Sequence, residues 1–283
     1  MSIGARIAAL IDEMGSGPVF VHSDPFRTAR LVKPVRDRDA YIDSHIGLIR
    51  EAAAERALWI PSFNYDYGRS RTFDIAKSES QLGPIPERFR VTVAAWRTPI
   101  PMFAVAGTGG QPRQSWGAAT DPFGSDSMFA ELVGNDGVVL YYGDTFHYNT
   151  LVHHAERVGR GPVYRYDKRF PGQVIFSDGH AEPGTLLYHV RPLGTGLDYD
   201  WPRLLDESIE AGVTRRLDGN PEILAASARG LYDLWVSDMR QDPLALLDDK
   251  TRKWVEPAVE ELGRRFVITD FEGPQTEIVE SQE

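Results

Sequence analysis

Apolar residues along the first 60 positions recur with the spacing of two helices and two short strands. Residues 2–14 carry apolar side chains three and four positions apart and stop at a Gly-Ser-Gly-Pro segment, which predicts a helix and its end. A second periodic segment covers 38–55, and the apolar runs 19–21 and 57–60 predict buried strands on either side of it. The order strand, helix, strand favours a parallel crossover and a layered α/β fold.

The remainder of the chain shows two other patterns. Residues 61–125 are rich in Pro, Gly, Ser and aromatic residues, which predicts short elements only. A long irregular stretch inside a compact domain is more often functional than not. The second half predicts antiparallel strands at 163–166, 173–176, 185–190, 213–217 and 223–227, with turns at Pro171-Gly172, Asp178-Gly179 and Asp218-Gly219, and helices at 201–211, 231–239 and 254–265. We therefore predict a single layered α/β/α domain with a mixed sheet over 1–270 and a polar tail over 271–283.

Length, charge and cysteine content exclude several classes of function. With 283 residues, 42% of them hydrophobic, the chain can bury a full core. The net charge of −10 argues against nucleic acids and anionic membrane surfaces and suits a cationic or neutral small substrate. The absence of cysteine excludes disulfides, thiolate metal sites and a cysteine acyl-enzyme. No signal-peptide core is present and no run approaches the ~18 apolar residues of a membrane span, so we expect a cytoplasmic protein.

The segment 137–156 carries the clearest sign of chemistry. An apolar and aromatic run over 138–142 predicts a buried strand that closes on Gly143, and a helix is predicted to open at Asn149-Thr150. His153 and Glu156, three positions apart, then share one face of that helix. A histidine beside a carboxylate is a common general base, and free amides at the helix start would favour an anionic group nearby. A core histidine next to a solvated glutamate explains the same two residues equally well.

A metal site is an alternative for this segment. His147, His153, His154 and Glu156 are close in sequence. However, the two adjacent histidines point to different helix faces, and the His-Glu-x-x-His spacing is missing. We therefore expect no metal.

Two further polar segments are candidates for binding. Asp198-Tyr199-Asp200 precedes a predicted helix, and Asp200 suits the N-cap of that helix. The alternative role for these carboxylates is to orient the base or to hold a substrate ammonium. His22-Ser23 follow a buried strand, where ligands collect in α/β sheets, although helix capping is the simpler role for Ser23. His180 and His189 are expected to be surface or strand residues. The pattern Gly-x-Ser-x-Gly does not occur, so a nucleophile elbow is unsupported.

The segment from Gly143 to Glu156 resembles the aminoglycoside 3-N-acetyltransferase family. In that family a strand ends in Gly, a variable turn follows, and then comes Thr-x-x-His-x-Ala-Glu, which residues 150–156 match. Weaker matches follow the family's order over about 20–240: Val21-His22-Ser23, Arg97-Thr98-Pro99-Ile100-Pro101, the segment from Phe123 to Leu132 with Ser127, and Asp198-Tyr199-Asp200.

The resemblance implies transfer of an acetyl group from acetyl-CoA to a primary amine of an aminoglycoside or amino sugar. In this scheme His153 is the general base, and Glu156 or Asp200 orients it. The residues implied to border the coenzyme are His22, Ser23, Arg97, Thr98, Ser127 and Thr150. Ile100 stands where the family has His and Thr98 where it has Ser, which puts the acceptor in question.

Three other functions stay open at this point. The acceptor could be a biosynthetic amino-sugar nucleotide or another small amine, the chain could be a non-catalytic relative that binds CoA or a sugar, or it could be a metal-dependent hydrolase. We expect CoA and a small amine as partners, no nucleic acid and no membrane, and we allow for a homodimer.

Overall fold

The computed structural model describes residues 1–159 and 161–273. The helices in this part of the chain are α1 (Ile3–Met14), α2 (Arg38–Ala53), α3 (Tyr67–Ser70), α4 (Pro84–Thr92), α5 (Met128–Gly134), α6 (Leu151–Gly159), α7 (Trp201–Glu210), α8 (Ala228–Gln241) and α9 (Asp249–Leu262). The strands are β1 (Val19–Ser23), β2 (Leu58–Pro61), β3 (Thr72–Asp74), β4 (Trp96–Arg97), β5 (Val105–Thr108), β6 (Val138–Tyr142), β7 (Tyr166–Ile175), β8 (Ala181–Val190), β9 (Thr214–Leu217) and β10 (Asn220–Ser227).

A seven-stranded mixed sheet forms the centre, in the order β4-β5-β2-β1-β6-β10-β9. Strand β1 pairs in parallel with β2 and with β6, which confirms the predicted crossover through α2. The outer strands pair antiparallel, as β2 with β5 and β6 with β10. The predicted mixed α/β architecture is therefore confirmed.

Alternate residues of the central strands pack against helices on the two faces of the sheet. Val19 and Val21 belong to a core with α1, α2 and α4, whereas Phe20 belongs to a core with α5, α6 and α8. The side chains of β1 up to His22 and all those of β6 are almost completely buried between these two cores. A strand buried on both faces needs a continuous apolar run, and 138–142 is one.

A second sheet, in the order β3-β7-β8, lies outside the central one. The predicted turn at Pro171-Gly172 is wrong: β7 runs straight through it, and Pro171 pairs opposite Thr185 on β8. Gly172 instead allows close packing, because a Cβ there would lie 2.3 Å from the backbone oxygen of Arg71. The turn at Asp178-Gly179 is confirmed, since it joins β7 to β8.

The end of the described chain packs on this second sheet. Phe271 stacks on Tyr166 with ring centroids 5.7 Å apart, and Tyr166 donates a 2.7 Å hydrogen bond to Glu272. Residues 271 and 272 are thus attached to the domain, although we predicted them as part of the tail. Residues 274–283 of that predicted tail lie outside the described residues, and the single-domain boundary stays a prediction.

Candidate active site

Helix α6 starts beside the point where two parallel strands end. Gly143 closes β6 with a φ of +118°, and a Cβ there would lie 2.6 Å from the backbone oxygen of Asp24, which follows β1. This crossing requires glycine, both for its conformation and for the missing side chain. A short 3₁₀ turn, Phe146–Tyr148, then leads to Asn149. The sequence motif therefore places the start of α6 at the carboxyl edge of the sheet.

The first three amides of α6 already have partners, so they are not free for the anion that we predicted there. The amide of Leu151 donates to Asn149 Oδ1 at 3.1 Å, and the amide of His153 donates to the Thr150 carbonyl at 3.1 Å. Val152 donates its amide to the Asn149 carbonyl at 3.4 Å. Asn149 also donates to the hydroxyl of Tyr141 on β6, which ties the helix start to the sheet.

His153 and Glu156 meet on one face of α6. The Nδ1 atom of His153 lies 3.1 Å from Oε2 of Glu156, so this nitrogen donates its hydrogen to the carboxylate. The His153 side chain is 18% exposed and the Glu156 side chain is 0% exposed. The imidazole thus reaches the surface of a cleft while its carboxylate partner lies beneath it. The lone pair is then on Nε2, as a base requires.

Four more side chains converge on the Glu156 carboxylate. Tyr199 donates its hydroxyl at 2.7 Å and Tyr164 at 2.9 Å, both to Oε1. Arg165 forms an ion pair with Oε2 at 3.1 Å, and His189 Nε2 lies 3.4 Å from the same oxygen. Arg165 also donates to the Tyr199 hydroxyl at 2.6 Å. A buried carboxylate with this many donors is held in one orientation and stays ionised.

Burial and the charge of Arg165 keep His153 neutral. Burial raises the pKa of Glu156, but the charge of Arg165 and the hydrogen bonds from His153 and His189 hold it well below its ordinary value. Burial, followed by the positive charge of Arg165, lowers the pKa of His153 to about 4, despite the opposing effect of Glu156. At neutral pH the imidazole is therefore unprotonated and able to accept a hydrogen ion.

His153 lines a cleft with a volume of about 470 Å³. Its walls are largely aromatic, with Tyr148, Tyr188, Tyr199 and Trp201 among the lining residues. A second cavity of about 370 Å³ shares residues His22, Leu82 and Tyr148 with this cleft. Two ligands, one in each cavity, would therefore meet next to His22.

His22 and Ser23, at the end of β1, line the second cavity, and their contact with the coenzyme stays a prediction. His22 Nε2 and Ser23 Oγ are both buried without a hydrogen-bond partner in the described part of the chain. Burial, with a contribution from His147, lowers the pKa of His22 to about 3. Its ring is fixed against Phe20 and stacks on Tyr141 with centroids 6.0 Å apart. These two unsatisfied polar atoms fit a site that is completed by a ligand.

Three residues predicted to border the coenzyme have structural roles instead. Arg97 donates to the carbonyls of Ser62, Ile75 and Ser78, which connects β4 to the neighbouring loops. Thr98 Oγ1 accepts the amide of Val105 at 2.9 Å, and Ser127 caps α5 by accepting the amide of Ala130. These side chains are buried and already engaged, so the prediction that they bind the coenzyme does not match their contacts. Thr150 does line the cleft.

Asp200 does not orient His153. Its carboxylate caps α7 by accepting the Arg203 amide, and it pairs with the Arg203 guanidinium at 3.2 Å. The neighbouring residue Tyr199 makes the contact that we expected of Asp200, since its hydroxyl lies 3.3 Å from His153 Nδ1. Ile100, which stands where the family has His, is 1% exposed in the core.

Sequence reasoning missed Tyr164, Arg165, His189 and Tyr199 as members of the site. His189 was expected to be a surface or strand residue, but it is a buried strand residue with 1% exposure. Tyr199 lies inside the Asp198-Tyr199-Asp200 motif, in which the sequence points to the two carboxylates and not to the tyrosine. The sole signal in the sequence for Arg165 is a charged residue between two tyrosines in an otherwise strand-like segment.

The atoms of His153, Glu156 and His189 lie close enough to hold a metal ion, within 4.8 Å of one another. The same carboxylate, however, already forms an ion pair with the buried guanidinium of Arg165. A divalent cation there would lie next to that positive charge, which disfavours its binding. The cluster therefore fits an arginine-neutralised carboxylate better than a metal centre.

A family profile described as aminoglycoside 3-N-acetyltransferase matches residues 48–239. Aminoglycoside N(3)-acetyltransferase VIII of Streptomyces fradiae is 26% identical over 172 residues, which are 59% of this chain; the chain thus spans 60% of that relative's length. The solved structure of AAC-IIIb in its binary complex with CoASH matches 84% of this chain and 96% of its own, with 20% identity and a TM-score of 0.64.

A histidine-to-alanine mutant of AAC(3)-IVa, solved in complex with a gentamicin, matches 87% of this chain and 91% of its own, with 20% identity and a TM-score of 0.61. The two solved structures show that the fold is shared. Among the described residues, no helix is long and apolar enough to cross a membrane.

Proposed function

The chain belongs to the aminoglycoside 3-N-acetyltransferase family, and on that premise we propose that it moves an acetyl group from acetyl-CoA to an amine, with His153 as the general base. One observation carries the proposal. A neutral imidazole faces the cleft while a buried, ionised carboxylate holds its other nitrogen. Binding alone would not need this arrangement, because a base serves to remove a proton during a reaction.

The proton step follows from the tautomer. Glu156 accepts the hydrogen of Nδ1 and leaves the lone pair of His153 on Nε2. An amine with a pKa of about 8 to 10 is mostly protonated at neutral pH and must lose a proton before or during attack. That first proton passes to solvent. As the new carbon–nitrogen bond forms, the nitrogen must lose a second proton, which His153 would accept, and Glu156 would stabilise the imidazolium that results.

Direct transfer from the donor to the acceptor needs no enzyme-bound acyl group. The acceptor attacks as the neutral amine, after its ammonium has lost one proton to solvent. Its nitrogen bonds to the thioester carbonyl carbon and gives a second proton to His153. The carbon–sulfur bond breaks, and the coenzyme leaves as a thiol that takes up the proton held by His153. The chain has no cysteine, so a thiol acyl-enzyme is not available. The two adjoining cavities, which share His22 and Tyr148, support a complex that holds donor and acceptor together.

The cavity at the end of β1 is the one we assign to the coenzyme. His22 and Ser23 would supply polar contacts there, since their side chains lack partners among the described residues. The amides at the start of α6 are engaged and do not stabilise an oxyanion. The acceptor is an aminoglycoside, an amino sugar or another small amine. A cytoplasmic location and a homodimer stay predictions.

The test is thiol release from acetyl-CoA, measured with a panel of amines. His153→Ala should lower the rate by about 10² to 10⁴, the usual contribution of a general base. His180→Ala is the matched control, because His180 is about half exposed in the turn between β7 and β8 and its ring pairs with the nearby Asp178 and Glu182. A His153→Ala protein with a nearly normal rate contradicts the proposal. A wild-type protein that binds acetyl-CoA but never turns it over with any amine favours a non-catalytic binding protein.

A further inference from the structure

The cleft beside His153 has an unusual balance of charges for a site that would bind a polycation. Among the described residues that line it, Asp198 is the carboxylate, and Arg165 and Arg191 are the cations. Glu156 lies behind the wall, completely buried, and its charge is offset by Arg165. The net charge of −10 of the whole chain is therefore not reproduced at this site.

Arg191 stands out among the described residues of the cleft as a charge without a counter-charge. It follows β8 directly, is exposed, and donates a long 3.4 Å hydrogen bond to the Leu197 carbonyl. In the described part of the chain it forms no ion pair, unlike, for example, Arg157 and Arg203. An unpaired guanidinium in a ligand cleft is a ready partner for a phosphate or carboxylate, which it can bind through two parallel hydrogen bonds.

Asp198 offers limited capacity for cations. Its Oδ1 atom already accepts the amide of Tyr199 at 2.8 Å and the indole nitrogen of Trp201 at 3.2 Å. One carboxylate can hold one ammonium. An aminoglycoside carries several ammonium groups, and the others would face Arg191 or uncharged aromatic side chains.

We propose that the acceptor carries an acidic group, a phosphate or a carboxylate, in addition to its amine, and that Arg191 binds this group. Asp198 holds the ammonium before transfer, and the aromatic walls at Tyr188 and Trp201 contact the body of the molecule. The identification of this ligand as an acceptor rests on the proposed acyl transfer. The site would then favour a monoamine with an anionic group over a polycationic antibiotic.

The experiment uses a matched pair of amines, glucosamine and glucosamine 6-phosphate, together with gentamicin. In the wild type, kcat/KM for glucosamine 6-phosphate should exceed that for glucosamine by about tenfold or more, the usual gain from a charge-assisted hydrogen bond. Arg191→Gln should remove this preference, so that the ratio of the two kcat/KM values falls to about one. Arg191→Glu should reverse it and improve gentamicin. Arg215→Gln is the control. Arg215 is on the edge strand β9 and forms an exposed ion pair with Glu13 of α1.

Three results would overturn the inference. One is a higher kcat/KM for gentamicin than for glucosamine 6-phosphate in the wild type. The second is an unchanged preference in Arg191→Gln. The third is a raised KM for acetyl-CoA in Arg191→Gln with the acceptor preference intact, which would assign the arginine to the phosphates of the donor.

Isothermal titration calorimetry tests the anion site independently of the proposed acetyl transfer. Glucosamine 6-phosphate is titrated into the wild type and Arg191→Gln without any donor. Binding that depends on Arg191 supports the anion site even if no amine is ever acetylated, in which case only the proposed transfer fails. Binding that is equal in both proteins overturns the anion site.

Discussion

The guanidinium of Arg165 lies 3.1 Å from the carboxylate of Glu156, and both side chains are almost completely buried. Arg165 is on the segment that leads into β7, and Glu156 is on α6, so this ion pair connects the second sheet to the helix that carries His153. The pair has two consequences for chemistry. It keeps Glu156 ionised, and it adds positive charge near His153, which reinforces the lowering of the imidazole pKa by burial.

Removal of one partner of this pair should destabilise the fold. Glu156→Gln leaves the Arg165 charge buried without compensation, and we expect a loss of about 3 to 5 kcal/mol in the free energy of unfolding. The double variant Glu156→Gln with Arg165→Met should recover much of that loss, because it removes both charges. Urea denaturation measures both. Equal stability of the single variant and the wild type would contradict a tightly coupled buried pair.

Tyr199 and Asp200, the two residues before α7, should have different roles: Tyr199 acts in the site, and Asp200 stabilises the fold. Tyr199→Phe removes a hydroxyl that contacts Glu156 and lies 3.3 Å from His153, so we expect kcat to fall. Asp200→Ala should leave kcat unchanged and cost about 1 kcal/mol of stability, the usual value of an N-cap. Steady-state kinetics and thermal denaturation of both variants check this. A lower kcat in Asp200→Ala with normal stability would restore Asp200 as the residue that orients the base.

Buried histidines should make the protein less stable in mild acid. The ordinary pKa of these side chains is 6.5. Burial, with a contribution from His147, lowers the pKa of His22 to about 3. Burial lowers the pKa of His45 to about 4, and burial together with the charge of Arg165 lowers the pKa of His153 to about 4. Their stabilising contribution is thus complete above pH 6.5 and is lost as the pH falls toward 4. Each group contributes a slope of about 1.4 kcal/mol per pH unit in that window.

Unfolding measured at several pH values between about 7 and 5 should show this slope. His45→Gln is the informative variant, because Gln can still bond to the Tyr142 hydroxyl that lies 2.7 Å from His45 Nδ1, yet it does not titrate. We expect the pH dependence of its unfolding free energy to be shallower by the contribution of one group, up to about 1.4 kcal/mol per pH unit. The other buried histidines, His22, His153, His154 and His189, still titrate in this variant. An identical slope would mean that His45 is not held neutral in the folded protein.

Arg165 should also decide whether the site takes up zinc. The wild type is expected to retain little zinc after dialysis against it, and a chelator should leave thiol release unchanged. Arg165→Met removes the competing positive charge and should increase zinc uptake by His153, Glu156 and His189. Metal analysis after gel filtration measures the content. One equivalent of zinc in the active wild type would favour the metal-dependent hydrolase instead.

The local patterns predicted what lies within one element or between neighbours in sequence. The periodic segments at 2–14 and 38–55 and the apolar run at 138–142 agree with α1, α2 and β6. His153 and Glu156 could be paired from sequence because residues three apart on a helix are always neighbours. Gly143 was recognisable for a similar reason, since a conformation with positive φ is a local property of the chain.

The partners of polar side chains were harder to predict. Arg97, Thr98 and Ser127 were assigned to the coenzyme, but they bond to backbone groups that the fold brings to them. The predicted turn at Pro171-Gly172 failed because strand pairing to β8 outweighed the local preference of those two residues. In each case contacts between distant segments decided the outcome, and propensity did not.

The amino-acid sequence by itself determined the helix and strand pattern, the absence of a cysteine nucleophile and the pairing of His153 with Glu156. The tertiary structure alone decided that Glu156 is buried, that Arg165, His189 and Tyr199 surround it, and that Asp200 does not. The physical reason is distance along the chain. Arg165, His189 and Tyr199 lie 9, 33 and 43 positions from Glu156, and only the packing of the second sheet and of the segment before α7 against α6 brings them within hydrogen-bonding range.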